Sequence, residues 1–349
     1  MERLSRLVRP PERAFRQVPI SNQPIVSVLD LGTVAVKAMV LSIAGERPAL
    51  LAYAREPRAA DADDAGILAA AERALVRAED AAGELPRRVV IAVPASECVF
   101  ASSAKAARLA ISAERGEAPP LTELRQSGFA TAVSVDRARR LATALDLDLA
   151  GVIAEPDAQA RLSPGSGPAI MVDVGGATTG LALCDADGVV ASISVPVGGA
   201  SLVERMCERL GLIASEAAEA VIAYSAGAGH RSGAGLSAAR TIAELARHHT
   251  DVWLDAIETG LSELARGHPL PASLQMCGGG ALLPDVQDAL GGGAWHAALP
   301  FRAMPTVHVL RPGDVKGLDL PRDVVLGTDS VPALCLAVAT AHPQPPISG

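Results

Sequence analysis

The period of the apolar positions changes along the chain, and the changes mark out its elements. Residues 24–57, "PIVSVLDLGTVAVKAMVLSIAGERPALLAYAREP", are apolar runs bounded by turn residues, which predicts two or three adjacent strands. Residues 63–85, "DDAGILAAAERALVRAEDAAGEL", place apolar residues at helical spacing behind an acidic first turn. A short buried strand follows in "RRVVIAVPA", so the first ninety residues read β-β-β-α-β. Residues 95–135 have weak periodicity, and Pro119–Pro120 breaks any long element there. "SVDRARRLATALDLD" then predicts a helix with a Ser–Asp start, and "LAGVIAEPDAQARL" a strand running into a helix or turn. "SPGSGP" at 163–168 reads as a linker and the boundary between two domains.

The second half repeats the first. "IVSVLDLGTVAVKAMVLS" at 25–42 and "PAIMVDVGGATTGLALCD" at 168–185 share one pattern. Each is an apolar strand ending in Asp, then an apolar residue and Gly, a short polar turn and another apolar strand. Asp30 aligns with Asp173, and Gly32 with Gly175. After the second copy come a strand in "GVVASISVPVGG", a helix in "ASLVERMCERLGL", "SEAAEAVIAYSA", and a glycine-rich loop "GAGHRSGAG". A helical stretch at 236–265 and a strand leading into glycines, "SLQMCGGGALLPDVQDAL", complete it. A repeat of this kind predicts two related α/β lobes.

The repeated hairpin also carries candidate chemistry. In a glycine-rich turn the backbone N–H groups converge into a concavity that holds anions. A carboxylate at the adjoining strand end repels phosphate but holds a hydrated Mg²⁺, which bridges phosphate oxygens. Two such hairpins facing each other would grip a polyphosphate from both sides.

Composition narrows the partners. The chain has 349 residues, 49% hydrophobic and 20% charged, enough for a large core in two domains. A net charge of −8 and 2% aromatic residues argue against a nucleic-acid surface. No run approaches the ~20 apolar residues of a membrane span, so no transmembrane segment is expected. The start has no apolar core of a secretory signal. Cys98, Cys184, Cys207, Cys277 and Cys335 are scattered without a CxxC pair, which fits reduced, buried thiols in a cytoplasm. Residues 1–24 are basic and broken by Pro10, Pro11, Pro19 and Pro24, and read as a flexible arm; residues 343–349 read as a tail. His248–His249 lack an HExxH context and are not read as a metal site.

"DLGTVAVK" and "VDVGGATTG" resemble the two phosphate motifs of the actin-like ATPase superfamily, which includes actin, heat-shock chaperones and sugar kinases. "QMCGGGALLPDV" at 275–286 resembles its adenosine motif, and "VIAEPDAQA" at 152–160 the segment connecting its lobes. The motifs occur in the family's order across residues 25–340. The resemblance implies two ribonuclease-H-like lobes, 25–165 and 166–342, around a nucleotide cleft, with 95–135 as a small inserted subdomain. "SVPVGGASLVERMCERLGLIASEAAE" and the end of the chain resemble the bacterial division protein FtsA and the pilus protein PilM.

Carried over residue by residue, the resemblance assigns ATP and Mg²⁺ to this cleft. Asp30 and Asp173 are the metal-facing aspartates. Gly32, Thr33 and Lys37 line the first phosphate motif; Gly175, Gly176, Thr178 and Thr179 the second. Gly198 and Gly199 belong to the "PVGG" turn, and Gly278, Gly279 and Gly280 to the adenosine turn. Glu155 is the candidate base or water-positioning residue. Three positions depart from the family. Ala177 stands where glycine is usual, Gly180 where aspartate is usual, and Val34 where a small or hydroxyl residue is usual. If position 177 requires a positive φ, alanine is strained there by about 1 kcal/mol. These departures favour holding ATP over turning it over.

The resemblance implies a cytoplasmic scaffold or cytoskeletal protein, peripheral to the inner face of the membrane. Self-assembly into filaments or docking to division or pilus proteins would be its work. Two alternatives stay open. A small-metabolite kinase shares the fold, although residues 95–135 offer no acidic motif for an acceptor hydroxyl. A chaperone-like reactivating ATPase is the other, since "GGATT" also resembles the accessory ATPase of glutamate mutase.

Overall fold

The computed structural model describes residues 24–59, 61–101, 127–162, 167–186, 188–227 and 236–341. The basic arm, the middle of the 95–135 segment, most of "SPGSGP", the 228–235 loop and the tail lie outside the described residues.

The predicted β-β-β-α-β start is present. β1 (Ile25–Asp30), β2 (Ala35–Ser42) and β3 (Ala49–Pro57) form an antiparallel meander, followed by α1 (Asp64–Ala82) and β4 (Arg88–Val93). Asp63 caps α1 by accepting from Gly66 N–H at 2.9 Å, and Gly83 ends it in the left-handed region at φ 66°. Two short antiparallel strands, β5 (Cys98–Ala101) and β6 (Ser127–Ala130), occupy the hard-to-read stretch. Then come α2 (Ala132–Ala144), β7 (Asp148–Ala154) and α3 (Glu155–Gln159). The cap of α2 is Thr131, not the Ser–Asp pair the sequence suggested: Thr131 Oγ1 accepts from Ser134 N–H at 3.2 Å, so the helix starts one turn earlier.

The second lobe repeats the plan. β8 (Ala169–Val174), β9 (Thr179–Asp185) and β10 (Gly188–Val195) form the meander. α4 (Ala200–Leu210), α5 (Ala214–Ser225) and α6 (Leu236–Ala265) follow, and then β11 (Ser273–Cys277), α7 (Pro284–Gly291), β12 (Thr306–Val309) and α8 (Val331–Ala341). The sheet orders are β3-β2-β1-β4-β7 and β10-β9-β8-β11-β12, the same topology twice. In both, the last two strands run parallel to the first strand of the meander.

Alternation within the strands sorts side chains into three layers. Leu29, Val36, Ala38 and Val40 face outward and pack with Leu75 of α1 and Leu141 of α2. Ile170, Val172, Val174 and Leu181 face outward in the second lobe, against Met206 of α4 and Trp253, Ile257 and Leu261 of α6. The opposite faces meet in the middle. Val26, Val28, Met39 and Leu41 share one core with Met171, Ala182, Cys184 and Cys277. α8 fills the space between them, with Leu334, Cys335 and Leu336 at most 1% exposed. A helix apolar all round belongs inside a core. At 11 residues α8 is far short of a bilayer, and no described helix is long and apolar enough to cross a membrane.

This parity fixes the site. Asp30 shares the inner face with Val26 and Val28, and Asp173 shares it with Met171. Both strands run out at the same end, so the two carboxylates arrive at the junction of the lobes.

Candidate functional site

The two hairpins close on the same tight glycine contact. A Cβ at Gly32 would lie 2.9 Å from the Ala35 carbonyl oxygen, and a Cβ at Gly175 would lie 2.9 Å from that of Thr178. Only glycine lets either turn close so tightly. The internal repeat in the sequence is therefore a repeat of backbone geometry.

The hairpins touch across the lobes. Ala177 N–H donates to Thr33 Oγ1 at 2.9 Å, and Gly176 abuts Thr33 and Val34 so closely that a Cβ there would meet Thr33 Oγ1 at 2.5 Å. Among described non-glycine residues only Asp146 and Arg266 have positive φ. Ala177 is thus in ordinary backbone space, and the strain that its departure from glycine suggested does not arise.

Behind the second hairpin lies the "PVGG" turn. Gly199 N–H and Ala200 N–H donate to the carbonyls of Gly175 and Gly176 at 2.9 and 2.8 Å. Gly198 is pressed against the same two carbonyls. Gly278, at φ +90°, faces Asp173 so closely that a Cβ would fall 2.4 Å from Oδ1. Gly280 packs on Val174 and beside Gly199, and Gly279 lies near Asp329. The structure therefore brings together the first hairpin, the second hairpin, the "PVGG" turn and the glycine turn after β11. Thr178 contributes its carbonyl, which accepts from Gly175 N–H at 3.0 Å. Thr179 stands apart. Its hydroxyl donates to the Val197 carbonyl at 2.7 Å and accepts from Trp253 Nε1 at 2.9 Å, so its side chain serves the outer core rather than the junction. Strand alternation turns it away from Asp173.

Four ionisable groups converge beneath the hairpins. Lys37 pairs with Asp30 across β1 and β2 and donates to its Oδ2 at 2.7 Å. Burial works to lower the Lys37 pKa, but Asp30 outweighs it and the net shift is upward. Gly180 holds the equivalent place opposite Asp173, seven residues on, and offers no side chain. Gln159 of α3 fills that role, its amide donating to Asp173 Oδ2 at 2.5 Å. Burial raises the Asp173 pKa, against the pull of Lys37 and the Gln159 bond. Glu155, at the start of α3, is pushed well above the usual carboxylate range by burial, then by the Asp30 and Asp173 charges. Burial and the two neighbouring carboxylates therefore favour its neutral form.

Two contacts went unseen in the sequence. Gln159 is one helical turn past Glu155, so its position on the same face was readable once α3 was placed. Arg55 of β3 pairs with Asp329 across the lobes at 3.7 Å, which no motif announced. All five cysteines are free; Cys184, Cys277 and Cys335 are buried as expected, whereas Cys98 and Cys207 are only partly so, and burial pushes the thiols of Cys98 and Cys184 up to about 12. His249 is buried in α6, where burial lowers its pKa to about 4. Among the described residues no cluster of three or more His, Cys, Asp or Glu is arranged to hold a metal by itself.

Two mixed sheets of identical order, joined by a shared inner core and facing glycine hairpins, define the actin-like fold. The chain has that fold. It is similar to PilM of a PilM–PilN type IV pilus biogenesis complex, at 19% identity and a TM-score of 0.65, covering 92% of this chain and 99% of that one. It is also similar to the ethanolamine utilization protein EutJ of Carboxydothermus hydrogenoformans, at 17% identity and a TM-score of 0.56, covering 92% of each. No family model matches the sequence, and no curated protein matches it.

Proposed function

We propose that this protein binds Mg·ATP between its lobes and hydrolyses it slowly or not at all. The bound nucleotide acts as a latch that fixes the relation of one lobe to the other. The observation that carries this is the pairing of Asp30 and Asp173 beneath two facing hairpins of one geometry. Hard carboxylate oxygens suit Mg²⁺, which keeps several of its waters and is shared with phosphate. Asp30 and Asp173 would hold the ion, with Oδ2 of each already engaged, by Lys37 or by Gln159. Mg²⁺ supplies charge neutralisation of the polyphosphate. The hairpins and the glycines at 278–280 would form the rest of the cradle, with the Ala177 N–H exchanging Thr33 Oγ1 for phosphate and the "PVGG" turn bracing the second hairpin from behind. The surroundings of Glu155 support the slow-turnover part of this reading. A base must be ionised to take a proton from water, and burial between two carboxylates favours the protonated form.

The likeness to PilM, solved as a complex with PilN, supports a scaffold that docks a partner in a pilus or division assembly, at the inner face of the membrane. An equilibrium titration with Mg·ATP, followed by phosphate release in the same sample, tests the reading. Binding with almost no release is expected. Absence of binding, or brisk turnover, would sink it.

A further inference from the structure

Lys37 is the cation the sequence offers to a bound anion, but its amine is already paired with Asp30 at 2.7 Å. Asp30, Asp173 and Glu155 surround it, so the junction has no surplus of positive charge to meet a polyphosphate. Arg58 supplies one. It follows β3 directly and holds the first hairpin by both turn carbonyls. Its backbone N–H donates to Val34 O at 3.0 Å, and its Nε donates to Gly32 O at 2.8 Å. In the second lobe the carbonyl of Gly175, which corresponds to Gly32, and that of the next residue, Gly176, are held by Gly199 and Ala200 N–H at the start of α4. One residue in the first lobe thus does what a helix start does in the second. Carbonyls held from behind leave the face of the turn to its N–H groups, the arrangement an anion needs.

One of the two terminal nitrogens is unusual. Arg58 Nη1 is buried and has no hydrogen-bond partner among the described residues, and Arg58 enters no ion pair there. Burial, and then the nearby Arg137, lower its pKa, as expected for a guanidinium without a counter-charge. Arg137 is itself paired with Asp64 and Glu97. A guanidinium stays charged in proteins, so an unpaired one sets a standing positive potential.

We propose that Arg58 is a positioning residue for the first hairpin and provides the uncompensated positive charge that draws a polyphosphate anion onto it. This rests on the reading that nucleotide binds between the hairpins. The test is titration of full-length protein with Mg·ATP at low and high ionic strength, for wild type, Arg58→Lys, Arg58→Gln and Arg58→Met. A single charge near the ligand is worth about tenfold in affinity at protein-like screening. The two neutral variants are expected to bind about tenfold more weakly at low salt, with a flatter salt dependence. Arg58→Lys keeps the charge and is expected to keep the wild-type salt dependence, while losing some affinity with the lost Nε bond to Gly32. If one neutral variant does not fold, the other carries the comparison. Equal weakening of all three variants with an unchanged salt dependence would reduce Arg58 to a structural prop and overturn the charge role. Wild-type affinity in the neutral variants would overturn the whole proposal. A wild type that binds no Mg·ATP is a separate result, and it would overturn the nucleotide reading together with this one.

Discussion

Glu155 shows how one residue's chemistry is set by distant neighbours. An ordinary glutamate ionises near 4.5, and this one is held well above that by burial and by Asp30 and Asp173. The folded state therefore keeps a proton that the unfolded chain releases. Stability falls as pH rises from about 4.5 toward the raised value, because the unfolded state binds fewer protons over that window. Glu155→Gln retains the shape and cannot ionise. It is expected to gain on wild type as pH rises from 5 to 8. Urea unfolding at the two pH values measures this, and an identical difference at both would contradict it. The sequence made Glu155 visible through "EPDAQ", but not its protonation state. That depends on two aspartates more than a hundred residues apart in sequence, brought together only by the pairing of lobes.

At the scale of elements, the meanders, the long α6 and the repeat were legible because strand alternation and helical spacing are local. What lies behind a hairpin is not local. The carbonyl ties from Arg58 and from the "PVGG" turn, and the outward turn of Thr179 toward Trp253, come from residues far off in sequence or on the opposite face. The same logic separates two glycines of one hairpin that look alike in sequence. A Cβ at Gly175 would press on the Thr178 carbonyl at 2.9 Å, whereas one at Gly180 would meet Asp173 Cβ at 3.8 Å, an ordinary contact. Gly175→Ala is expected to destabilise by about 1–3 kcal/mol, as an overpacked turn does. Gly180→Ala lies within strand β9 and is expected to be neutral or to stabilise by about 0.5 kcal/mol, through lower chain entropy in the unfolded state. Chemical denaturation of the two variants side by side gives the answer. Equal losses would mean that the turn is looser than its geometry states.

For the whole molecule, the inner core decides how the lobes behave. α8 packs on β1, β2 and β7 and against α3, and residues 155–162 in turn pack on β9 and β10, so the two inner faces are joined through the α3–α8 pair. The sequence revealed the end of the chain as apolar and family-like, but not that it closes the shared core; only the topology shows that. Leu334, fully buried in this core, is the place to probe the coupling. Leu334→Ala removes packing that both lobes share, and a buried leucine lost to alanine costs about 2–5 kcal/mol. Unfolding is expected to remain one transition, with hydrogen exchange rising together in β1–β2 and β8–β9. Saturating Mg·ATP, at about a hundred times its Kd, should return about 2.7 kcal/mol to that same transition. Two separated transitions, with ligand shifting only one, would mean that the lobes melt independently. A nucleotide lying between them would then have no means of holding one against the other, and the latch would lose its mechanical basis.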